Sequence, residues 1–148
     1  MSRSPIRQGD FVWTHFPTSE RPEAPSKDRH IALCIRESDG RAGGHVLALV
    51  YTTTVKRADR PKARGEIEIP EGKALEFGQN SAFRIDVKRV AALPLTKEFF
   101  PDLEMPGFGK RGSSTHLAAA CDKMLSKIAD ETPELIEVLG PAHARRMF

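Results

Sequence analysis

Residues 46–51 form an apolar run that leads directly into three threonines, residues 52–54, and then into Lys56 and Arg57. A continuous run of Val, Leu and Ala is typical of a β-strand that is covered on both faces. Hydroxyl groups that follow such a strand are held rigidly at the edge of a core, here beside two cations. The segment therefore predicts a buried strand whose far end presents an anion-binding surface.

The composition is that of a globular domain with a local excess of positive charge. The chain has 148 residues, of which 39% are hydrophobic and 29% are charged, which favours one domain over residues 1–148 and argues against disorder of the whole chain. The net charge is only +3, yet residues 54–64 carry five cations against one acid, Asp59. This imbalance indicates contact with phosphate or nucleic acid, and a solvated loop is the alternative.

Cys34 and Cys121 lie among apolar neighbours and have no Cys or His at metal-ligand spacing. We therefore predict buried, reduced thiols and assign no metal ligand and no cofactor. The N-terminal residues lack the apolar core of a signal peptide, and no window of the sequence approaches a membrane span. These features predict a cytoplasmic protein without membrane contact.

Strands are predicted where apolar residues alternate or run together. They cover about residues 11–16, 31–35, 46–54, 65–69 and 83–87, and residues 89–93 continue or follow the last of them. Trp13 is predicted to anchor the core. Helical spacing of Leu117, Cys121 and later apolar residues predicts a helix capped within residues 113–115, and a second short helix is predicted after Pro133.

The predicted fold class is therefore α+β, mainly β. It consists of a barrel of short strands over about residues 8–95, a connector over residues 96–112 and C-terminal helices over about residues 113–140. Strands 31–35 and 46–54 are joined by a turn-rich segment, which predicts an antiparallel hairpin. Because such a pair brings the start of one strand beside the end of the other, Arg29 is expected to lie next to residues 52–54.

These neighbours suit chemistry on an RNA phosphodiester. Arg29 can hold two phosphoryl oxygens of a phosphorane and stays charged at all relevant pH values. Thr53 can donate a hydrogen bond to the same group, and His30 or His15 can transfer protons near neutral pH. Ordinary structural roles for these residues are the alternative: a surface cation, strand-forming threonines and structural histidines.

Three segments in order resemble the MazF/PemK family of endoribonuclease toxins. The sequence GDFVWTHF at residues 9–16 is similar to the family's opening strand, which reads G-D-[ILV]-[VI]-W-x-x-F. The sequence RHIALC at residues 29–34 is similar to R-P-[AV]-[LV]-[VI]-[LI], and LVYTTT at residues 49–54 is similar to V-x-P-[IVL]-T-[TS]. His30 stands where the family pattern has proline, which frees the backbone before it.

The resemblance implies a single SH3-like barrel that forms a homodimer and binds a cognate antitoxin protein. It also implies metal-independent cleavage of single-stranded RNA by attack of the 2′-OH, which leaves a cyclic phosphate. On this basis the catalytic residues are Arg29 and Thr53, with Thr52 as the alternative register and His30 beside them. The expected RNA contacts are Lys56, Arg57 and Arg84.

Two other functions are compatible with the same residues. The first is a non-catalytic SH3-like module that binds nucleic acid or a protein partner, for which steep salt dependence without cleavage is expected. The second is a regulator that binds only protein, for which no RNA binding is expected even at low salt.

Overall fold

The computed structural model describes residues 4–38, 44–55 and 61–148. Its strands are β1 (Asp10–Thr14), β2 (His30–Ser38), β3 (Val46–Thr54), β4 (Glu66–Ile69), β5 (Phe83–Pro94), β6 (Lys110–Ser113) and β7 (Glu137–Leu139). Its α-helices are α1 (Glu71–Ala74), α2 (Thr115–Glu131) and α3 (Ala142–Arg145). Short 3₁₀ turns lie at Leu75–Phe77, Pro106–Gly109 and Pro133–Leu135.

The described strands form one sheet in the order β4-β5-β3-β2-β1-β6, and β7 is added to β5. All pairs are antiparallel except the parallel pair of β7 with β5. The predicted α+β class with a mainly antiparallel sheet is confirmed. No ladder joins β4 to β6 in the described ranges, so the sheet is open along this path and closure into a barrel stays a prediction.

Side chains of alternate strand residues pack into two apolar clusters, one on each face of the sheet. The first cluster contains Leu33 and Val50 and is covered by α2, and the second contains Cys34 and Leu49. Residues 47–50 have no exposed surface, so the predicted burial of this run on both faces is confirmed. Trp13 is only partly buried and packs against the first cluster, so it combines core packing with an exposed edge.

Both cysteines are free and buried, as predicted. Burial raises the pKa of the Cys34 thiol, and it raises the pKa of Cys121 to about 12. The predicted helix over the C-terminal part is α2, and its N-cap Ser114 accepts a hydrogen bond from the Leu117 amide at 3.1 Å. Within the described residues, no helix combines the length and the apolar character needed to cross a membrane.

Two boundaries predicted from the sequence are wrong. The connector over residues 96–112 contains the start of β6, which pairs with β1 and packs closely on the turn Leu75–Phe77. The second C-terminal helix is instead a 3₁₀ turn followed by β7, which pairs with β5. A short, mainly apolar segment such as residues 135–139 fits both the helical and the strand period. Residues 137–139 form a strand because they pair with the free edge of β5. Residues 83–87 and 89–93 form the single strand β5.

Candidate anion-binding site at the ends of β2 and β3

A pocket of about 200 Å³ opens where β2 begins and β3 ends. Its lining residues are Trp13, Arg29, His30, Ile31, Thr52, Thr54 and Gln79. The predicted proximity of Arg29 to the threonines is therefore confirmed. It follows from the antiparallel register of β2 with β3, in which Ala32 is opposite Tyr51.

Arg29 is held at the mouth of this pocket by an aromatic ring and a carboxylate. Its guanidinium carbon lies 4.6 Å from the centre of the Trp13 ring, a cation–π distance. Its Nη1 donates a hydrogen bond of 2.9 Å to Oδ2 of Asp102. Because 47% of the Arg29 side chain stays exposed, the guanidinium is both oriented and accessible to an anion.

Strand alternation decides which threonines share the pocket with Arg29. Thr52 and Thr54 line the pocket, whereas Thr53 is exposed on the opposite face and is not among the lining residues. Thr52 is only 1% exposed, and its Oγ1 donates to the Ile31 carbonyl at 2.6 Å and accepts from Gln79 Nε2 at 3.3 Å. Thr54 is therefore the exposed hydroxyl of the pocket.

His30 borders the pocket, but its ring lies on the other face of the sheet. The ring stacks on Tyr51 with a centroid distance of 4.4 Å and an interplanar angle of 4°. Its Nε2–H donates to the Thr52 carbonyl. Burial lowers the pKa of His30, the hydrogen bond to Thr52 partly opposes this, and the charge of Arg89 lowers it further. The lowered pKa favours the neutral ring, whose hydrogen bond to the Thr52 carbonyl holds the end of β3.

A bulge in β5 brings Arg89 to the same stack. Val50 is opposite Val90 but Tyr51 is opposite Asp86, so residues 87–89 are extra on the β5 side. Bulges of this kind redirect side chains, and the Arg89 guanidinium carbon lies 4.4 Å from the centre of the Tyr51 ring. His30 and Arg89 together hold Tyr51 in place.

The structure assigns Arg84 an internal role. Arg84 is opposite Thr53 in the register of β3 with β5, so it belongs to the face away from the pocket. Its side chain is 4% exposed; Nε donates to Glu68 Oε1 at 2.8 Å, and Nη1 lies 3.6 Å from Glu66 Oε1. This placement does not support the predicted RNA contact of Arg84.

Other predicted site residues fall outside the pocket or outside the described chain. Lys56 and Arg57 lie in residues 56–60, outside the described ranges. His15 does not line the pocket, and its Nδ1 is buried without a hydrogen-bond partner in the described part of the chain. The described residues contain no group of three or more His, Cys, Asp or Glu that could hold a metal ion.

Three polar residues at the site, Thr54, Gln79 and Asp102, were not identified from the sequence as site residues. Thr54 has a recognisable signal, because it lies two residues beyond Thr52 and so shares its face of β3. Gln79 and Asp102 have no such signal, because each enters from a segment whose path is set by tertiary packing.

No protein-family model matches this chain, and no curated protein matches it either.

Proposed function

We propose that this protein is a MazF/PemK-like endoribonuclease that cleaves single-stranded RNA without a metal ion. The observation that carries the proposal is the oriented, half-exposed side chain of Arg29 in one pocket with the exposed hydroxyl of Thr54. A cation and a hydroxyl donor in one concave site can stabilise a phosphodiester in its charged transition state.

The proposed reaction is an attack of the RNA 2′-oxygen on the adjacent phosphorus. The new P–O2′ bond forms as the P–O5′ bond breaks. The 2′-OH loses its proton, and the leaving 5′-oxygen gains one. The products are a 2′,3′-cyclic phosphate and a 5′-hydroxyl end. Arg29 stabilises the extra negative charge on the phosphorane, and Thr54 donates a hydrogen bond to a phosphoryl oxygen.

Thr52 and His30 receive positioning roles in this proposal. Thr52 joins β3 to β2 through Ile31 and holds Gln79 at the pocket wall. His30 fixes the Thr52 backbone from the other face. The proposal therefore favours the alignment in which Thr52, and not Thr53, matches the family's catalytic threonine or serine.

The wider assignments are part of the same proposal. They comprise an SH3-like barrel, a homodimer, a cognate antitoxin protein as partner, RNA as substrate and a cytoplasmic location. The support for them is the resemblance of residues 9–16, 29–34 and 49–54 to the family's three segments, and the arrangement of Arg29 and the threonines that the fold produces.

The test is cleavage of end-labelled single-stranded RNA in the presence of a metal chelator, with mass spectrometry of the cyclic phosphate. Arg29→Ala should lower the rate by about 10²- to 10³-fold, the size expected for losing one preorganised donor to an oxyanion. Arg7→Ala is the matched control, because Arg7 is also 47% exposed and pairs with Glu37 at the other end of β2.

Two results would count against the proposal. Cleavage by Arg29→Ala at the wild-type rate would remove Arg29 from the reaction. Failure of the wild-type protein to cut a set of unstructured RNAs that together contain all trinucleotides would remove the endoribonuclease assignment.

A non-catalytic RNA-binding module is the second candidate. One observation favours it: the Thr52 hydroxyl proton is already engaged by the Ile31 carbonyl, so this hydroxyl is not offered to a ligand. This candidate predicts RNA binding that weakens steeply with salt and no cleavage product.

A further inference from the structure

The 3₁₀ turn Pro106–Gly109 holds an aromatic side chain in a backbone conformation that disfavours it. Phe108 has φ 56° and ψ 22°, and it is the one non-glycine residue with positive φ in the described chain. Gly107 and Gly109 on either side also have positive φ. Phe108 is 39% exposed, so packing in the core does not explain why a bulky residue occupies this position. Strained residues of this kind concentrate where a ligand is bound.

The turn lies against the carboxylate that holds Arg29. Oδ2 of Asp102 is 2.9 Å from Arg29 Nη1, and it is 3.5 Å from the point where a Cβ on Gly109 would stand. Phe108 is the residue before Gly109. The exposed Phe108 ring therefore belongs to a turn that lies against Asp102, the ion-pair partner of Arg29.

The ring also has a cation beside it. Nζ of Lys110 lies 5.8 Å from the centre of the Phe108 ring and 3.3 Å from Asp10 Oδ2, so this cation, like Arg29, is paired with a carboxylate. Val12 is opposite Lys110 in the register of β1 with β6. The next residue of β1 is Trp13, which points to the other face of the strand and has the Arg29 guanidinium over its ring. Aromatic faces alternating with cations are the pattern by which proteins bind unpaired nucleotides, since the rings stack on bases and the cations meet phosphates.

We propose that Phe108 is a stacking position for an unpaired nucleobase that neighbours the phosphate bound at Arg29. This inference rests on the proposed function and identifies part of its substrate recognition. An apolar peptide would also cover an exposed ring. A polyanion is favoured because Lys110, paired with Asp10, and Arg29, paired with Asp102, both have partly exposed side chains that can meet phosphates.

The test uses a fluorescein-labelled single-stranded RNA of mixed sequence, fully 2′-O-methylated so that it cannot undergo 2′-OH attack. Binding is measured by anisotropy for the intact RNA and for copies with one abasic position each. Phe108→Leu should weaken binding about 5- to 100-fold, the size expected for one base–aromatic stack, and Phe108→Trp should restore it. Phe148→Leu is the matched control, because Phe148 is another exposed ring with a cation, Arg36, over it.

Removing the base that stacks on Phe108 should weaken RNA binding by the wild-type protein. The same abasic RNA should bind the Phe108→Leu variant no more weakly than the intact RNA does, and this identifies the stacked base. The inference is overturned if Phe108→Leu, with a wild-type melting temperature, binds the RNA as tightly as the wild-type protein. In that case, if the wild-type protein still cleaves unmodified RNA, the proposed endoribonuclease function is unaffected. Absence of both binding and cleavage by the wild-type protein overturns the two together.

Discussion

Each face of the sheet at the end of β3 has an arginine near a threonine, but one arginine is exposed and the other is buried. On the pocket face, Arg29 is 47% exposed and is held by one ring and one carboxylate. On the other face, Arg84 is 4% exposed and lies between Glu66 and Glu68. Both arginines stand beside a threonine of β3, so residue type and sequence position do not separate them.

The two arginines differ in the free energy that it costs to break their ion pairs. A surface ion pair contributes at most about 1 kcal/mol, so Arg29 can leave Asp102 for a phosphate at little cost. Removing Arg84 would take the cation away from Glu66, which is 8% exposed and would keep the Ala63 amide as a hydrogen-bond donor, and breaking a buried ion pair in this way costs several kcal/mol. Of these two arginines, Arg29 is therefore the one available to a ligand.

The largest expected effect is on the buried side of this comparison. Arg84→Ala should lower the free energy of unfolding by about 3–5 kcal/mol, because Glu66 is 8% exposed and loses a partner. Arg29→Ala should lower it by no more than about 1 kcal/mol. Urea denaturation of the two variants measures both values, and equal losses would show that the two faces do not differ in this way.

The threonines provide the next test. Thr54→Val should slow RNA cleavage by about 10-fold or more, the value of a hydrogen bond to a charged group. Thr53→Val should leave the rate unchanged, because Thr53 lies on the face away from the pocket. Single-turnover cleavage rates decide the matter, and a loss confined to Thr53→Val would reverse the assignment of faces.

Asp102→Asn tests whether the partner of Arg29 is exchangeable. Stability should fall by at most about 1 kcal/mol, and RNA affinity should rise because Arg29 no longer has to leave a carboxylate. The gain should shrink as salt screens these charges. Glu104→Gln serves as the control, since Glu104 forms an exposed pair with Lys97. Weaker RNA binding by Asp102→Asn at low salt would mean that Asp102 orients Arg29 for the ligand.

The smallest expected effect is the pH dependence due to His30. Its pKa is lower in the folded state than in the unfolded state, so the unfolded state binds more protons between the two values. Stability from this group is present above about pH 6.5 and is lost as the pH falls toward the folded value. In thermal melts, His30→Gln should reduce the loss of stability on acidification, whereas His143→Gln, at an exposed histidine, should not.

Much of the scaffold could be predicted because it depends on short-range patterns. The apolar run before Thr52 indicates a strand covered on both faces, and the turn-rich segment before it fixes an antiparallel neighbour. The spacing of Leu117 and Cys121 indicates α2. The strand β7 could not be predicted, because a three-residue strand has no period of its own and forms only against the edge of β5.

The sequence by itself determined that Arg29 would lie beside the threonines of β3, because antiparallel pairing and connectivity leave no other place for it. Only the tertiary structure decided which threonines it meets and what Arg84 does. A shift of one residue along a strand reverses the face of every side chain. Burial then depends on segments that approach from far along the chain, such as Asp102 at the pocket and Glu66 and Glu68 beside Arg84.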